Sequence, residues 1–552
     1  MSTGSLYLSG AKALVECLKL EKISHVFCVP GESYLPVMDA IYDEPSIQLI
    51  SSRHEGGASF MAEGYAKAAR LPGVVMATRG VGASNLAIGV HTAFQDSTPM
   101  VVFLGQVHSA FRGREGFQEV ELDRFFSHLA KWTVEIHDVE RIPELVQRAF
   151  RTAITGRPGP VVVSLPEDVL AKRAIMHFSE PLQRPSPKPC TQEIKAMEAL
   201  LRTAKRPLII AGGGIKHSQG EEELLQFSSK FQIPVMAAFR RHDVFPNHHP
   251  LYCGHLGLGV SAKVLSLVQS ADTIIAIGTR LSEVTTQDYS IITKDKKLVH
   301  IDIDHAVVGK VFAPDLGIVA DAAEALRALN GLLFTPKWSD WRTECRKAYE
   351  DSIAEPDGDR PLNHQIISIL NKSLPARSIL TNDAGNFAGW LHTYYQFNEK
   401  NSYIGPTSGA MGYGMPAALG AKLARPEATV ISLSGDGGFM MTIQEMETAV
   451  RYNIPVISLI FNNSMYGTIR MHQEIHFPNK PIGTDLGLVP FAKIAENFGA
   501  TGYLVKNSEE FEQALSKALL NHKPAVIEVE CDPEQISVSS TIKQIRNRVP
   551  KN

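Results

Sequence analysis

Short runs rich in β-branched and other apolar residues alternate along the whole chain with stretches whose apolar positions recur every three or four residues. That alternation predicts βα units wrapped around parallel sheets, whose inner strands are apolar on both faces. Strands are expected at residues 25–29, 74–78, 100–104, 161–165, 207–211, 273–277, 298–303, 429–433, 456–461 and 525–529. Most end in Gly, Pro, Asp or Asn, as strands do where they deliver backbone to a site. Helical periodicity is clearest at 338–353 and 439–453, and a helix of small residues follows Gly57. Two breaks divide the pattern: residues 181–189 hold four prolines in nine positions, and helical order stops again near 355–361. A proline run sustains neither a helix nor an inner strand. The expected architecture is α/β, with three doubly wound parallel-sheet domains at residues 1–182, 190–355 and 360–552.

Length agrees, because 552 residues exceed what one ordinary core organises. With 44% apolar and 20% charged residues the balance is that of a soluble globular protein. A formal net charge of −3 gives no reason to expect nucleic acid or an anionic membrane as partner. Cys17, Cys28, Cys190, Cys253, Cys345 and Cys531 lack any C-x-x-C spacing, so neither a zinc site nor a disulfide framework is indicated. Dispersed thiols suit a reducing compartment. The N-terminus has no signal-peptide pattern, and no apolar run reaches the ~20 residues of a membrane span. The expectation is a cytoplasmic enzyme acting on small molecules.

The sharpest chemical signal is Gly435-Asp436-Gly437, followed after twenty-four residues by Asn462-Asn463. TVISLS runs into the first element and VISLIF into the second, with a helical stretch between them. Neighbouring parallel strands would bring a carboxylate and a carboxamide to one sheet edge. Such oxygen ligands suit a hard cation like Mg²⁺ that also binds phosphate, and glycines let backbone N–H groups approach a diphosphate. Each element alone also reads as an ordinary turn. Their pairing at βαβ spacing is what argues for chemistry.

This pairing resembles the thiamine-diphosphate and magnesium motif of the acetolactate synthase and pyruvate oxidase superfamily. The resemblance implies Asp436, Asn463 and the main-chain carbonyl of Met465 as metal ligands, with Gly437, Gly438 and Tyr466 beside the diphosphate. It makes the first domain pyrimidine-binding and the third diphosphate-binding. In RHEGGASFMAEGYA, Glu55 could simply be a charged helix start. By resemblance it is the Glu that hydrogen-bonds N1′ of the aminopyrimidine and promotes loss of the thiazolium C2 proton. In PTSGAMGYGMPAALGAKLA, Met411 could fill a core gap; by resemblance it is the wedge that bends the cofactor, with the Gly409 carbonyl facing N4′. Gly31, Gly385 and Asn386 fall where the family contacts the cofactor. The cofactor lies between domains of two subunits in that family. A homodimer is thus implied as the minimal active unit and a homotetramer as the assembly, while a regulatory subunit is left open.

The resemblance spans nearly the whole chain and is closest to acetolactate synthase (acetohydroxyacid synthase) large subunits, through GQV at 105–107, GFQE at 116–119 and RPGPVVVSLPEDV at 157–169. It implies a carboligase of branched-chain amino acid biosynthesis. CO₂ would leave pyruvate, a 2-oxo acid, and the two-carbon unit would add to a second carbonyl, giving 2-acetolactate with pyruvate as acceptor. Gln118 matches a residue facing the bound intermediate. The chain also departs from the family. His472 stands where the synthases carry an acceptor-selecting Trp, and His91 and His108 differ too. Arg470 and His472 could recognise a carboxylate, phosphate or sugar hydroxyl, or be solvated helix residues. A decarboxylase or lyase, or a carboligase with a ketone, aldehyde or sugar acceptor, is the alternative. A non-catalytic relative would have lost Glu55 or Asp436, and both are present. The middle segment resembles an FAD-binding domain, with Gly212, Gly213 and Gly214 after a strand and Arg280 matching. Leu281-Ser282-Glu283 replaces the family's Phe-Asp-Asp, so FAD is an open expectation.

Overall fold

The computed structural model describes residues 6–354 and 360–548. Within them lie three six-stranded, wholly parallel sheets flanked by helices, plus a two-stranded antiparallel ribbon, Leu6–Ser9 with Arg173–Met176, that the periodicity did not suggest. The first sheet runs Gln48–Ser51, His25–Cys28, Gly73–Ala77, Met100–Gln106, Pro160–Pro166, Trp132–Glu135. The third repeats that order as Tyr403–Ile404, Ile379–Asn382, Val430–Gly435, Ile457–Asn462, Ala525–Glu530, Thr501–Val505. The middle sheet differs: Tyr252–His255, Val235–Ala237, Pro207–Ala211, Thr273–Ile277, Lys297–Asp302, Leu316–Val319. The first and third sheets transpose their last two strands, and each order changes direction beside the strand that comes first in the chain. These switch points lie between Cys28 and Gly73, between Ala211 and Thr273, and between Asn382 and Val430. Ligands of open α/β sheets bind in such crevices, beyond the carboxyl ends of the strands.

All ten strands expected from the apolar runs are present, with ends shifted by a residue or two. Residues 181–190 carry no helix or strand, as the prolines require, whereas positions 355–359 of the second expected break lie outside the described residues. One expected helix is two. The stretch 439–453 turns at Met440–Gln444 between Asp436–Phe439 and Glu445–Arg451. There the Thr442 hydroxyl donates to the Gly412 carbonyl (2.8 Å), a tertiary bond that competes with helix continuation.

The first and third domains share one hydrophobic cluster, while the middle domain has its own. The seam between the first and third is the helix pair Glu55–Ala69 and Gly414–Ala424. All residues of Glu55–Ala69 except Lys67 and Ala69 are buried, which is why its composition is small and apolar all round. The two helices are antiparallel: Gly64 faces Ala417 and Gly420 faces Met61. A Cβ at Gly64 would lie 2.4 Å from the Ala417 carbonyl oxygen, and one at Gly420 only 2.0 Å from that of Met61. Backbone contact this close demands glycine on both helices.

Candidate active site

At the third sheet's carboxyl edge, register pairs Gly435 with Phe461, so Asp436 and the Asn462–Met465 turn emerge side by side. Asp436 is 5% exposed and makes no ion pair among the described residues. Burial pushes its carboxyl up to about 6, against the N–H groups of Gly437, Met465 and Ser464 that point at it. The two asparagines have separate duties. Asn462 is structural, donating to Glu528 (2.7 Å) and accepting from Ser464 N–H (3.2 Å), which holds Ser464 at φ +53. Asn463 is left partly exposed beside Asp436, its amide oxygen 3.3 Å from Met465 N–H. Asp436 thus sets a buried carboxylate beside a turn whose further oxygen donors are the Asn463 amide and the Met465 main-chain carbonyl. This donor set fits a divalent hard cation. The surrounding glycines are sterically forced. A Cβ at Gly437 would sit 2.5 Å from the Tyr466 ring, one at Gly438 2.5 Å from Asp383 Oδ2, and one at Gly385 2.5 Å from the Phe387 ring.

Asp383 was not singled out by sequence. It is fully buried, accepts from Gly414 N–H, and is raised to about 6 by burial against that bond. Its signal was available: an Asp directly after an apolar strand and before a glycine turn, as in Gly435-Asp436-Gly437. Asn386 points elsewhere. Its side chain donates to the Ile536 carbonyl (2.9 Å) and accepts from the Thr468 hydroxyl (3.0 Å), bracing the helix Gly467–His476. Residues 405–413 pass over the same edge, with Met411 half-buried and both Gly409 and Gly412 at φ +73.

Glu55 begins its helix at the first sheet's carboxyl edge, capped by His54, whose Nδ1 accepts from Gly56 N–H. It is 9% exposed, and Oε2 accepts from the Asn85 amide (2.9 Å). Gly31 lies at the adjacent switch point, where a Cβ would meet Thr78 at 2.6 Å. Gln118 sits at φ +63, and its carbonyl accepts from Gly80 N–H (3.0 Å). The turn before Glu55 is gripped by another residue that sequence reasoning missed, the fully buried Glu445, which accepts from the N–H groups of Arg53 and His54 and from the Thr448 hydroxyl. Among the described residues, however, Glu55 and Asp436 share no hydrogen bond or ion pair. The far end of the Glu55 helix touches the third domain's cofactor edge: Tyr413 donates to Glu63, and Lys67 lies 3.3 Å from the Tyr413 hydroxyl. Eight residues separate Glu55 from Glu63, about 12 Å of helix.

In the middle domain the three glycines have mostly packing causes. A Cβ at Gly212 would meet the Gly278 carbonyl at 2.1 Å, and one at Gly214 the Gly278 Cα at 2.6 Å. Beside them is a cavity of about 370 Å³ lined by Gly213, Gly214, Arg157, Arg241 and Arg280 among others. Among the described residues the hydrogen bonds of Arg157 and Arg280 go to the Ser97 hydroxyl and to the Phe94 and Gln95 carbonyls and none to a carboxylate, which suits these groups to phosphate. Arg470 is already committed to Glu474 (3.1 Å) and Asp485 (2.9 Å), while His472 is exposed and stacked near His476. Among the described residues no helix is long and apolar enough to cross a membrane.

Three family models of thiamine pyrophosphate enzymes match this chain: the N-terminal TPP binding domain at residues 8–125, the central domain at 194–329 and the C-terminal TPP binding domain at 383–529. A probable acetolactate synthase large subunit of Methanocaldococcus jannaschii is 35% identical over 548 residues, covering 96% of this chain and 93% of its own. The acetolactate synthase large subunit of Lactococcus lactis is 34% identical, covering 94% and 92%. The mitochondrial acetolactate synthase catalytic subunit of Saccharomyces cerevisiae is 32% identical, covering 96% and 82%. With similarity running end to end and with cofactor-edge residues at two matching switch points, the chain belongs to the acetolactate synthase large-subunit family of thiamine pyrophosphate enzymes.

Proposed function

We propose that this protein decarboxylates pyruvate and joins the two-carbon unit to a second carbonyl, forming 2-acetolactate when the acceptor is pyruvate. The observation that carries this reading is the paired edge chemistry, Asp436 with Asn463 and Glu55, in a chain similar over its length to acetolactate synthase large subunits. Asp436, Asn463 and the Met465 carbonyl would hold Mg²⁺, with Gly437, Gly438, Gly385 and Tyr466 around a diphosphate. Bound thiamine diphosphate supplies a carbon nucleophile and an electron sink for CO₂ loss. The chain's own part is positioning and proton control. Asn85 fixes Glu55 Oε2 and leaves Oε1 to hold the proton shared with the aminopyrimidine N1′. Met411 and the Gly409 carbonyl would set the cofactor's bend.

The opposed ends of the Glu55 helix support a site completed by a second copy of the chain, so a homodimer is the smallest active unit in this reading. The arginine-lined cavity fits a phosphate-bearing dinucleotide such as FAD. His472 on the helix after the metal turn supports an acceptor preference different from that of relatives carrying Trp there. Product analysis with pyruvate and a panel of ketone, aldehyde and sugar acceptors decides the matter. 2-Acetolactate from pyruvate alone is expected; free aldehyde instead would replace the carboligase with a decarboxylase. A flavin absorbance band in purified protein is the check on FAD.

A further inference from the structure

Asp96 ends the helix Gly80–Asp96 at the first sheet's amino edge, and its wholly buried carboxylate joins all three domains. It pairs with Lys67 of the first domain (3.2 Å) and Arg241 of the middle domain (3.1 Å), and accepts from Thr407 N–H of the third (3.0 Å). The Thr92 and Ser408 hydroxyls, 3.1 Å apart, add a second tie one step along. Thr407 and Ser408 immediately precede Gly409 and Met411. With Gly409 and Gly412 both in the left-handed region, that loop takes its shape from outside anchors rather than from regular structure.

Residues 94–97, which include Asp96, are in turn held by arginines that line the middle-domain cavity. Arg157 donates to the Phe94 carbonyl (3.0 Å) and the Ser97 hydroxyl (2.8 Å), Arg280 to the Gln95 carbonyl (2.7 Å), and Arg241 to Asp96. All three guanidinium groups line the cavity, as do Asp96 and Thr407. A phosphate arriving there draws on the very donors that fix residues 94–97, and charge-assisted Arg–phosphate bonds are strong enough to compete.

We propose that Asp96 is a positioning residue that couples an anionic, phosphate-bearing occupant of the middle-domain cavity to the loop carrying Gly409 and Met411. This rests on reading the cavity as a nucleotide site and the loop as part of the thiamine site. Filling one site then changes affinity at the other, by the same factor in both directions.

The test is titration of the full-length protein with thiamine diphosphate and Mg²⁺, followed by near-ultraviolet circular dichroism, with and without saturating FAD or ADP. In wild type the nucleotide should shift thiamine diphosphate affinity by about fivefold or more, an ordinary coupling. In Asp96→Asn, and in Arg241→Gln should the former not fold, the factor should fall to about one, with far-ultraviolet dichroism unchanged. Variants that keep the wild-type factor overturn the proposal, and so does a wild type that binds nucleotide without any shift. If wild type binds neither FAD nor ADP, the nucleotide reading of the cavity fails separately. The role of Asp96 is then decided without nucleotide: weaker thiamine diphosphate binding by folded Asp96→Asn upholds it, and unchanged binding overturns it.

Discussion

Glu55 shows how much one carboxylate's setting decides. Its two oxygens are not equivalent, because Asn85 occupies one of them. Glu55→Gln keeps shape and hydrogen bonding but cannot carry the proton. Thiamine diphosphate binding should persist while C2 hydrogen–deuterium exchange, followed by NMR after acid quench, slows by about 10²–10⁴-fold; unchanged exchange removes Glu55 from proton transfer. Glu445 behaves differently, since burial lifts its carboxyl from 4.5 to about 7 despite the Thr448, Arg53 and His54 donors. Because the folded value is the higher one, its contribution to stability is fully present below about 4.5 and is lost as pH rises through about 7. Glu445→Gln lacks this titration. The gap in thermal midpoint between wild type and variant should therefore be wider at pH 5 than at pH 8, and a gap independent of pH would show that Glu445 does not titrate in that window.

At the scale of elements, the antiparallel pair Glu55–Ala69 and Gly414–Ala424 sets how the cofactor-edge chemistry is distributed. Both helices follow the second strand of their domain in chain order, so they are topological equivalents meeting about a pseudo-twofold axis. Their approach depends on Gly64 and Gly420. Gly64→Ala should destabilise the protein by about 1–3 kcal/mol through forced overpacking, seen as a lower thermal midpoint; an unchanged midpoint would mean the helices can part at no cost. This contact also explains the composition of the first helix. The small residues of GGASFMAEG predicted a helix without saying why it should be small, and Gly57, Gly64 and their neighbours are small because a second helix and Glu445 lie against them.

For the whole molecule, the helix pair leaves the first sheet's carboxyl edge, with Glu55, at the opposite end from the third domain's cofactor loop. If two copies complete each other's sites, mixing dissociated Glu55→Gln and Asp436→Ala proteins, each inactive alone, should restore activity. Random reassortment makes half the dimers mixed, each with one intact site of two, so roughly a quarter of wild-type activity is expected. No recovery on mixing would place the complete site within a single chain.

How far the sequence reached follows from burial. Inner strands such as Thr273–Ile277 and Pro207–Ala211 were legible because both faces are covered and their residues are almost uniformly apolar. Edge strands such as Trp132–Glu135, Leu316–Val319 and the two-residue Tyr403–Ile404 were not, since partial exposure or brevity erases the pattern. Asp436 with Asn463 could be read because both groups sit one βαβ unit apart on the chain. Glu445 and Asp96 could not be, because each acts on residues remote in sequence, Asp96 on partners up to 311 positions away, whereas Asp383 offered the same strand-end signal as Asp436 and was passed over. The sequence by itself therefore determined the three parallel sheets and the local motif, which depend on periodicity and short spacing. Only the tertiary structure decided that the three sheets turn at switch points beside those motifs, that Asn386 and Arg470 are committed to bracing contacts, and that Glu63 and Lys67 rather than Glu55 meet Tyr413 of the third domain. Those outcomes depend on which distant surfaces pack together, and no local pattern encodes that.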